Sequence, residues 1–255
     1  MNNTVGIIGS GMIGSQVARL AVAAGLNVTI CNSRGPETLA DIVAELGPGV
    51  RAASLPEVAE STDLLVLAVP FAVYAKLPAD LLAGKILVDT LNYYPERDGV
   101  MQEVKTDTIS TSELVQAHLS RSYVVRAINN MDFIRLLSRA RPAGSEDRSA
   151  LPVASDHANA KAAVIEFLDR IGYDVVDMGP LSESWRSEPT MPVYVNPYWG
   201  IKTQYESGPN DVSSFMSAPG RAVGKNEVTE LLGKAVRHEK MFGLLGNFDV
   251  TSTRK

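Results

Sequence analysis

The sequence holds a single cysteine, Cys31, in 255 residues. That excludes an internal disulfide and any zinc site built from thiolate pairs. Its three histidines, His118, His157 and His238, stand far apart and show no metal-ligand spacing, so each reads as a surface or capping residue. No run of about 18 apolar residues exists, so no membrane-spanning helix is expected. The first residues carry no basic segment followed by a cleavable apolar stretch. A cytoplasmic protein without a membrane partner is therefore expected. The net charge of −5 gives no excess of basic residues that would favour nucleic acid. Internal repeats and low-complexity tracts are lacking, and no Ser-His-Asp set, metal cluster or acid–base pair stands out.

Apolar residues make up 45% of the chain, enough for a packed core. Their pattern alternates between strand and helix. Val5 to Ile8, Asn27 to Cys31, a weak run near Val50, Asp63 to Val69, Lys85 to Asp89 and Tyr123 to Ile128 read as strands. Between the first two, Ile13, Val17, Leu20, Ala21 and Ala24 share one helical face, and Gly25 supplies a stop. A further helix is expected over Glu37 to Leu46. Strand and helix in alternation imply right-handed crossovers and a doubly wound, mainly parallel Rossmann sheet. Residues 133–149 interrupt the pattern with a short helix or loop. A closing strand-helix-strand then follows over Leu151 to Asp177. The expected organisation is a dinucleotide-binding domain over 1–130, a sheet extension with the second-substrate region over 131–200, and a tail over 201–255. A helix across Glu227 to His238 is a candidate subunit contact.

Gly9-Ser10-Gly11-Met12-Ile13-Gly14 fits G-x-G-x-x-G, follows a strand and opens a helix. In that setting Gly9 allows a tight turn, Gly11 lets a diphosphate approach the backbone, and Gly14 lets the helix pack on the strand. Free amides and the positive end of the helix dipole complete an anion site. About 20 residues further on, an NAD enzyme carries a carboxylate for the ribose hydroxyls. The stretch "ICNSRGPET" offers Asn32, Ser33 and Arg34 there instead. A hydroxyl and a guanidinium suit a 2′-phosphate through charge-assisted hydrogen bonds, with Asn32 and Thr38 as further donors. The expected cofactor is NADP(H).

With these features the sequence resembles the NADPH:coenzyme F-420 (deazaflavin) oxidoreductases. The resemblance rests on "GIIGSGMIGSQVARL", "NSRGPET", the Val69-Pro70 strand exit, "LVDTLNYY", "VVRAINN" and the "LPVASDHANAKAAVIEFLDRIGYDVVDMGPLSES" segment. It covers residues 4–130 and 151–200. The resemblance implies hydride transfer between NADP(H) and F-420 as second substrate, by stacked rings, with no catalytic residue. Catalysis of that kind rests on proximity and orientation. It further implies that Ser10, Met12 and Ile13 line the diphosphate. Ser33 and Arg34 hold the 2′-phosphate. Val69, Pro70 and Asn92 sit on the cofactor side, and Ala127 and Asn129 border the nicotinamide and the acceptor. A homodimer is expected.

Residues 131–150 depart from the family pattern. Arg135, Arg139, Arg141 and Arg148 cluster there, and Arg135 and Arg139 in particular are candidates to receive the anionic part of the acceptor. Tyr194, Tyr198 and Trp199 form an aromatic segment that could pack in the core or cover the pocket. Two alternatives remain. One is a reductase of the same fold acting on a small carbonyl or imine, a flavin or a metal chelate, with Tyr74, Tyr93, Tyr94 or Lys76 available as proton donor. The other is a non-catalytic NADP(H) sensor.

Overall fold

The computed structural model of the protein describes residues 3–105, 108–199 and 216–237. It contains one eight-stranded sheet in the order β3-β2-β1-β4-β5-β6-β7-β8. The strands are β1 Thr4–Ile8, β2 Asn27–Cys31, β3 Val50–Ala52, β4 Leu64–Leu67, β5 Ile86–Asp89, β6 Tyr123–Arg126, β7 Ala150–Ala154 and β8 Asp174–Gly179. The first six run parallel, β7 pairs antiparallel with β6, and β8 returns parallel to β7. This is the doubly wound Rossmann architecture with a strand-helix-strand extension.

The central strands are apolar on both faces because helices cover both sides. Leu64, Leu65, Val66 and Leu67 of β4 are all buried. One core layer gathers Ile7, Val66, Val88 and Val125 with the helix Met12–Ala23. The opposite layer gathers Leu65, Leu67, Leu87 and Val124 with Phe71, Val115 and Leu119. Gly6 allows β1 to sit close to β4, because a Cβ there would lie 2.4 Å from the Leu65 side chain.

The interrupting segment resolves into a short helix, Phe133–Ser138, capped by Asp132, whose carboxylate accepts from the amides of Ile134 and Arg135. Among the helices that the periodicity misses is Thr111–His118, whose apolar face is thin. Its capping box is legible all the same: Ser110 accepts from the Glu113 amide and the Glu113 carboxylate accepts from the Ser110 amide. Within the tail, the helix Lys225–Gly233 buries Val228 and Leu232 in the chain's own core, and the Val223 carbonyl accepts from Ala150 N of β7. His238, and the remaining expected tail on either side of 216–237, lie outside the described residues.

Candidate nucleotide and acceptor site

In an open parallel sheet, ligands bind beyond the carboxyl ends of the strands where the winding reverses direction. Here the reversal lies between β1 and β4. The turn after β1 is built by its glycines. Gly9 has φ +112, and a Cβ on it would stand 2.2 Å from the Ala68 carbonyl oxygen. A Cβ on Gly14 would stand 1.9 Å from the Gly9 oxygen. Gly11 differs: nothing lies within 4 Å of its Cβ position. The turn is thus closed against the sheet at two glycines and open at the third, which is the cradle a diphosphate requires. Gly11 caps the helix Met12–Ala23 with no side-chain hydrogen bond and no acidic residue in the first turn, so the positive helix end has no internal anion. Ser10 is half-buried, its carbonyl accepting from the Ser15 hydroxyl. Met12 is exposed beside the turn, and Ile13 packs partly into the core.

The loop after β2 is shaped by Asn32. Its carboxamide oxygen accepts from the amides of Arg34 at 2.8 Å and Gly35 at 3.1 Å. Its nitrogen donates to the Thr38 hydroxyl at 2.9 Å and the Ser10 hydroxyl at 3.2 Å. Thr38 in turn donates to the Gly35 carbonyl. Asn32 and Thr38, expected from sequence to donate to a phosphate, are committed to holding the loop. Ser33 and Arg34 are left exposed at its tip, and no ion pair among the described residues involves Arg34. An exposed cation beside an open glycine turn fits the diphosphate and 2′-phosphate of NADP(H). At the next strand end, Val69 is half-buried and Pro70 exposed.

The ends of β5 and β6 carry a polar network that the sequence reading missed. Asp89 and Arg126 are register partners on these adjacent parallel strands. Both are fully buried, and they form an ion pair at 3.3 Å. Asp89 also accepts from the Leu91 amide and, at 2.6 Å, from the Ser112 hydroxyl. Arg126 donates to the Leu91 carbonyl and to the Asn92 carboxamide oxygen. The signal was present, since a lone charge in each of two apolar strands must find its opposite when the strands lie side by side. Removing one partner of a buried pair leaves an uncompensated charge. Asp89→Asn is therefore expected to cost about 3–5 kcal/mol, read as a lower urea midpoint. An unchanged midpoint would show that the Leu91 carbonyl and the Asn92 carboxamide suffice to hold Arg126.

Asn92 and Asn129 are joined side by side. Asn92 donates to the Asn129 carbonyl at 2.8 Å, and Asn129 donates to the Asn92 oxygen at 3.3 Å and to the Ser187 carbonyl at 2.6 Å. Ala127 is fully buried beneath them. Ile128 between them has φ 65, as Thr190 has φ 79 and Val195 φ 55. β-Branched residues rarely adopt this left-handed conformation, which costs of order 1–3 kcal/mol each and gathers where surrounding structure enforces it. All three residues lie on segments that meet at Asn129 and Asn130: Ser187 is bonded to Asn129, and the Val195 amide donates to the Asn130 carbonyl.

The arginine cluster of the interrupting segment is placed differently from the expectation. Arg135 is fully buried, donating to Asp132 and to the Ala218 carbonyl and lying over the Trp199 ring. Arg139 and Arg141 both pair with Asp147, and Arg148 pairs with Asp169 and Asp174. Arg135 is enclosed by partners on its own chain, whereas Arg139 is paired with the exposed Asp147 carboxylate. Tyr198 is core, with its hydroxyl bonded to Asn130 and Ala150. His118 and His157 bond to the Leu77 carbonyl and the Gln116 side chain. Among the described residues no group of metal-ligating side chains gathers, and no helix is long and apolar enough to cross a membrane.

Comparison with known proteins agrees with this geometry. Residues 4–93 match the family model of NADP oxidoreductases, coenzyme F-420-dependent. A 53-residue stretch is 40% identical to the Escherichia coli protein YjhV, covering 21% of this chain and 39% of that one. The crystal structure of a hypothetical protein from Sinorhizobium meliloti superimposes with a TM-score of 0.66 at 27% identity, over 75% of this chain and 92% of that one. A candidate F-420-dependent NADP reductase from an Arthrobacter species gives a TM-score of 0.60 at 29% identity, over 71% of this chain and 86% of that one.

Proposed function

We propose, taking that kinship with NADP-dependent oxidoreductases as the premise, that the protein passes a hydride between NADP(H) and the deazaflavin coenzyme F-420 by direct ring-to-ring transfer. The observation that carries the nucleotide half is the pairing of an open Gly11 cradle with the exposed Arg34, which forms no ion pair among the described residues. The resemblance over the nucleotide-binding region and the Arthrobacter neighbour support the acceptor half.

When bound, the nicotinamide supplies a proton and two electrons together as hydride. The chain's own part is placement. The amides that open the helix Met12–Ala23 face the diphosphate, and the Ser33 hydroxyl and Arg34 guanidinium take the 2′-phosphate. The strand ends at Val69, Asn92 and Asn129 would set the depth of a bound ring. The Asn92–Asn129 pair is held by Arg126 and Ser187, so this floor is rigid before a ligand arrives. Preorganisation of that kind lowers the entropic cost of bringing two rings into contact.

The test follows loss of the visible absorbance of oxidised F-420 on mixing with NADPH and the protein. A rapid bleach that prefers NADPH over NADH is expected. Tight NADPH binding without any bleach would overturn the acceptor while keeping the nucleotide. One observation favours a second reading, reduction of a small carbonyl or imine: two tyrosine hydroxyls lie at the acceptor end of the site.

A further inference from the structure

We propose that Tyr94 is the proton donor to the acceptor and that Tyr194 is the positioning residue that holds its hydroxyl. The inference rests on the reading above that the chain transfers hydride. It adds a class of acceptor: one whose reduction places hydride on carbon and a proton on a conjugated nitrogen or oxygen. The deazaflavin ring and an imine both belong to that class.

The hydroxyls of Tyr94 and Tyr194 are hydrogen-bonded to each other across a sequence separation of 100 residues. The pair stands at the site, since the Asn92 side chain that bonds Asn129 also reaches the Tyr194 hydroxyl at 3.5 Å. Both ends are fixed. Tyr94 N donates to the Asp98 carboxylate at 3.0 Å, and Arg97 bridges Asp98 and the Asn92 carbonyl. Tyr194 is held between the left-handed Thr190 and Val195. Each tyrosine is half-buried as a residue, so part of its surface is left to solvent.

The electrostatics set the protonation state of the pair. Burial pushes both phenols above their ordinary range, so each keeps its proton at physiological pH. A donor must also tolerate the charge left behind. The Arg97 guanidinium lies 4.9 Å from the centre of the Tyr94 ring, and Arg126 reaches the same Asn92 carboxamide. Both cations and the hydrogen bond from Tyr194 favour the Tyr94 phenolate, and Asp98 opposes it. Asp89 faces the pair only through Arg126. The step balances as follows. NADPH gives up hydride and becomes NADP+. The acceptor carbon takes the hydride, and its conjugated heteroatom takes the Tyr94 hydroxyl proton. The O–H electron pair stays on the phenolate, which is reprotonated from water.

The experiment uses the full chain with NADPH and three acceptors: oxidised F-420, 1-pyrroline and pyruvate. With whichever the wild type reduces, Tyr94→Phe is expected to lower kcat about a hundredfold. It should leave NADPH binding unchanged and remove the solvent deuterium isotope effect. Tyr194→Phe is expected to lower kcat about tenfold and keep that isotope effect, because the donor remains but is poorly aimed. A Tyr94→Phe protein with wild-type kcat and isotope effect overturns proton donation and leaves hydride transfer standing. A wild type that reduces none of the three overturns both. Should Tyr94→Phe fail to fold, Tyr194→Phe decides: a kcat and isotope effect equal to wild type overturn the assignment.

Discussion

Alanine at Gly9 or Gly14 is expected to unfold the nucleotide-binding half, whereas alanine at Gly11 leaves stability intact and weakens NADPH binding. The three glycines lie within six residues of one motif, yet the space around them differs. At Gly9 a side chain would face both a positive φ and the Ala68 carbonyl at 2.2 Å. Carbonyls of a central sheet cannot retreat, so strain and overlap together cost about 3 kcal/mol or more. At Gly14 the obstacle is the Gly9 oxygen itself, at 1.9 Å, and relief would pull the helix Met12–Ala23 away from β1. At Gly11 the new methyl enters open space on extended backbone, φ −72. That space is where we propose that the diphosphate rests. Overlap there costs about 1–3 kcal/mol, which is roughly tenfold to a hundredfold in NADPH affinity. Thermal melting and fluorescence titration on all three variants separate the effects. A Gly11→Ala protein that binds NADPH at wild-type strength would remove the diphosphate from this turn.

Arg34→Ala is expected to raise the KM for NADPH by about tenfold to a hundredfold, the range for losing hydrogen bonds to a charged group. The KM for NADH should stay within about twofold of wild type, because NADH has no phosphate at this position. The asymmetry follows from the loop. Asn32 fixes the backbone of residues 34 and 35, so the loop keeps its shape without the guanidinium, and Arg34 has no ion pair to lose among the described residues. Equal losses with both nucleotides would mean that Arg34 holds the loop rather than the phosphate. Asn32→Ala provides the contrast. It should weaken NADPH binding and lower thermal stability together, since that side chain is hydrogen-bonded to Ser10, Thr38 and the amides of Arg34 and Gly35.

The nucleotide half was legible because its geometry is encoded locally. A glycine needed for a tight turn, a helix opening beneath it and a cation in place of an acid all fall within about 25 residues of one another, the span of a single βαβ unit. Apolar runs gave the strands, and their alternation with helices restricted the topology to a doubly wound sheet. The antiparallel entry of β7 was not readable, because it depends on how residues 127–149 turn back.

The acceptor half was legible only in part, and the arginines show why. Arg135 and Arg139 look available in sequence as members of a basic cluster, but folding gives each of them a partner on its own chain. Arg126 drew no notice as a site residue, yet it stands beneath the Asn92–Asn129 floor. Tyr94 stood among several candidate proton donors, with nothing local to single it out from Tyr74 or Tyr93. Tyr194, its partner, lies in a segment whose bland reading was core packing.

By itself, then, the sequence determined the parallel part of the sheet, the glycine turn and the placing of a hydroxyl and a guanidinium rather than an acid after β2, since those properties depend on backbone conformation and on residues close along the chain. Tertiary structure alone decided which polar side chains are free and which are taken. A hydrogen bond or ion pair needs its partner within about 3 Å, and partners such as Tyr94 and Tyr194 are brought together only by the order of strands in the sheet.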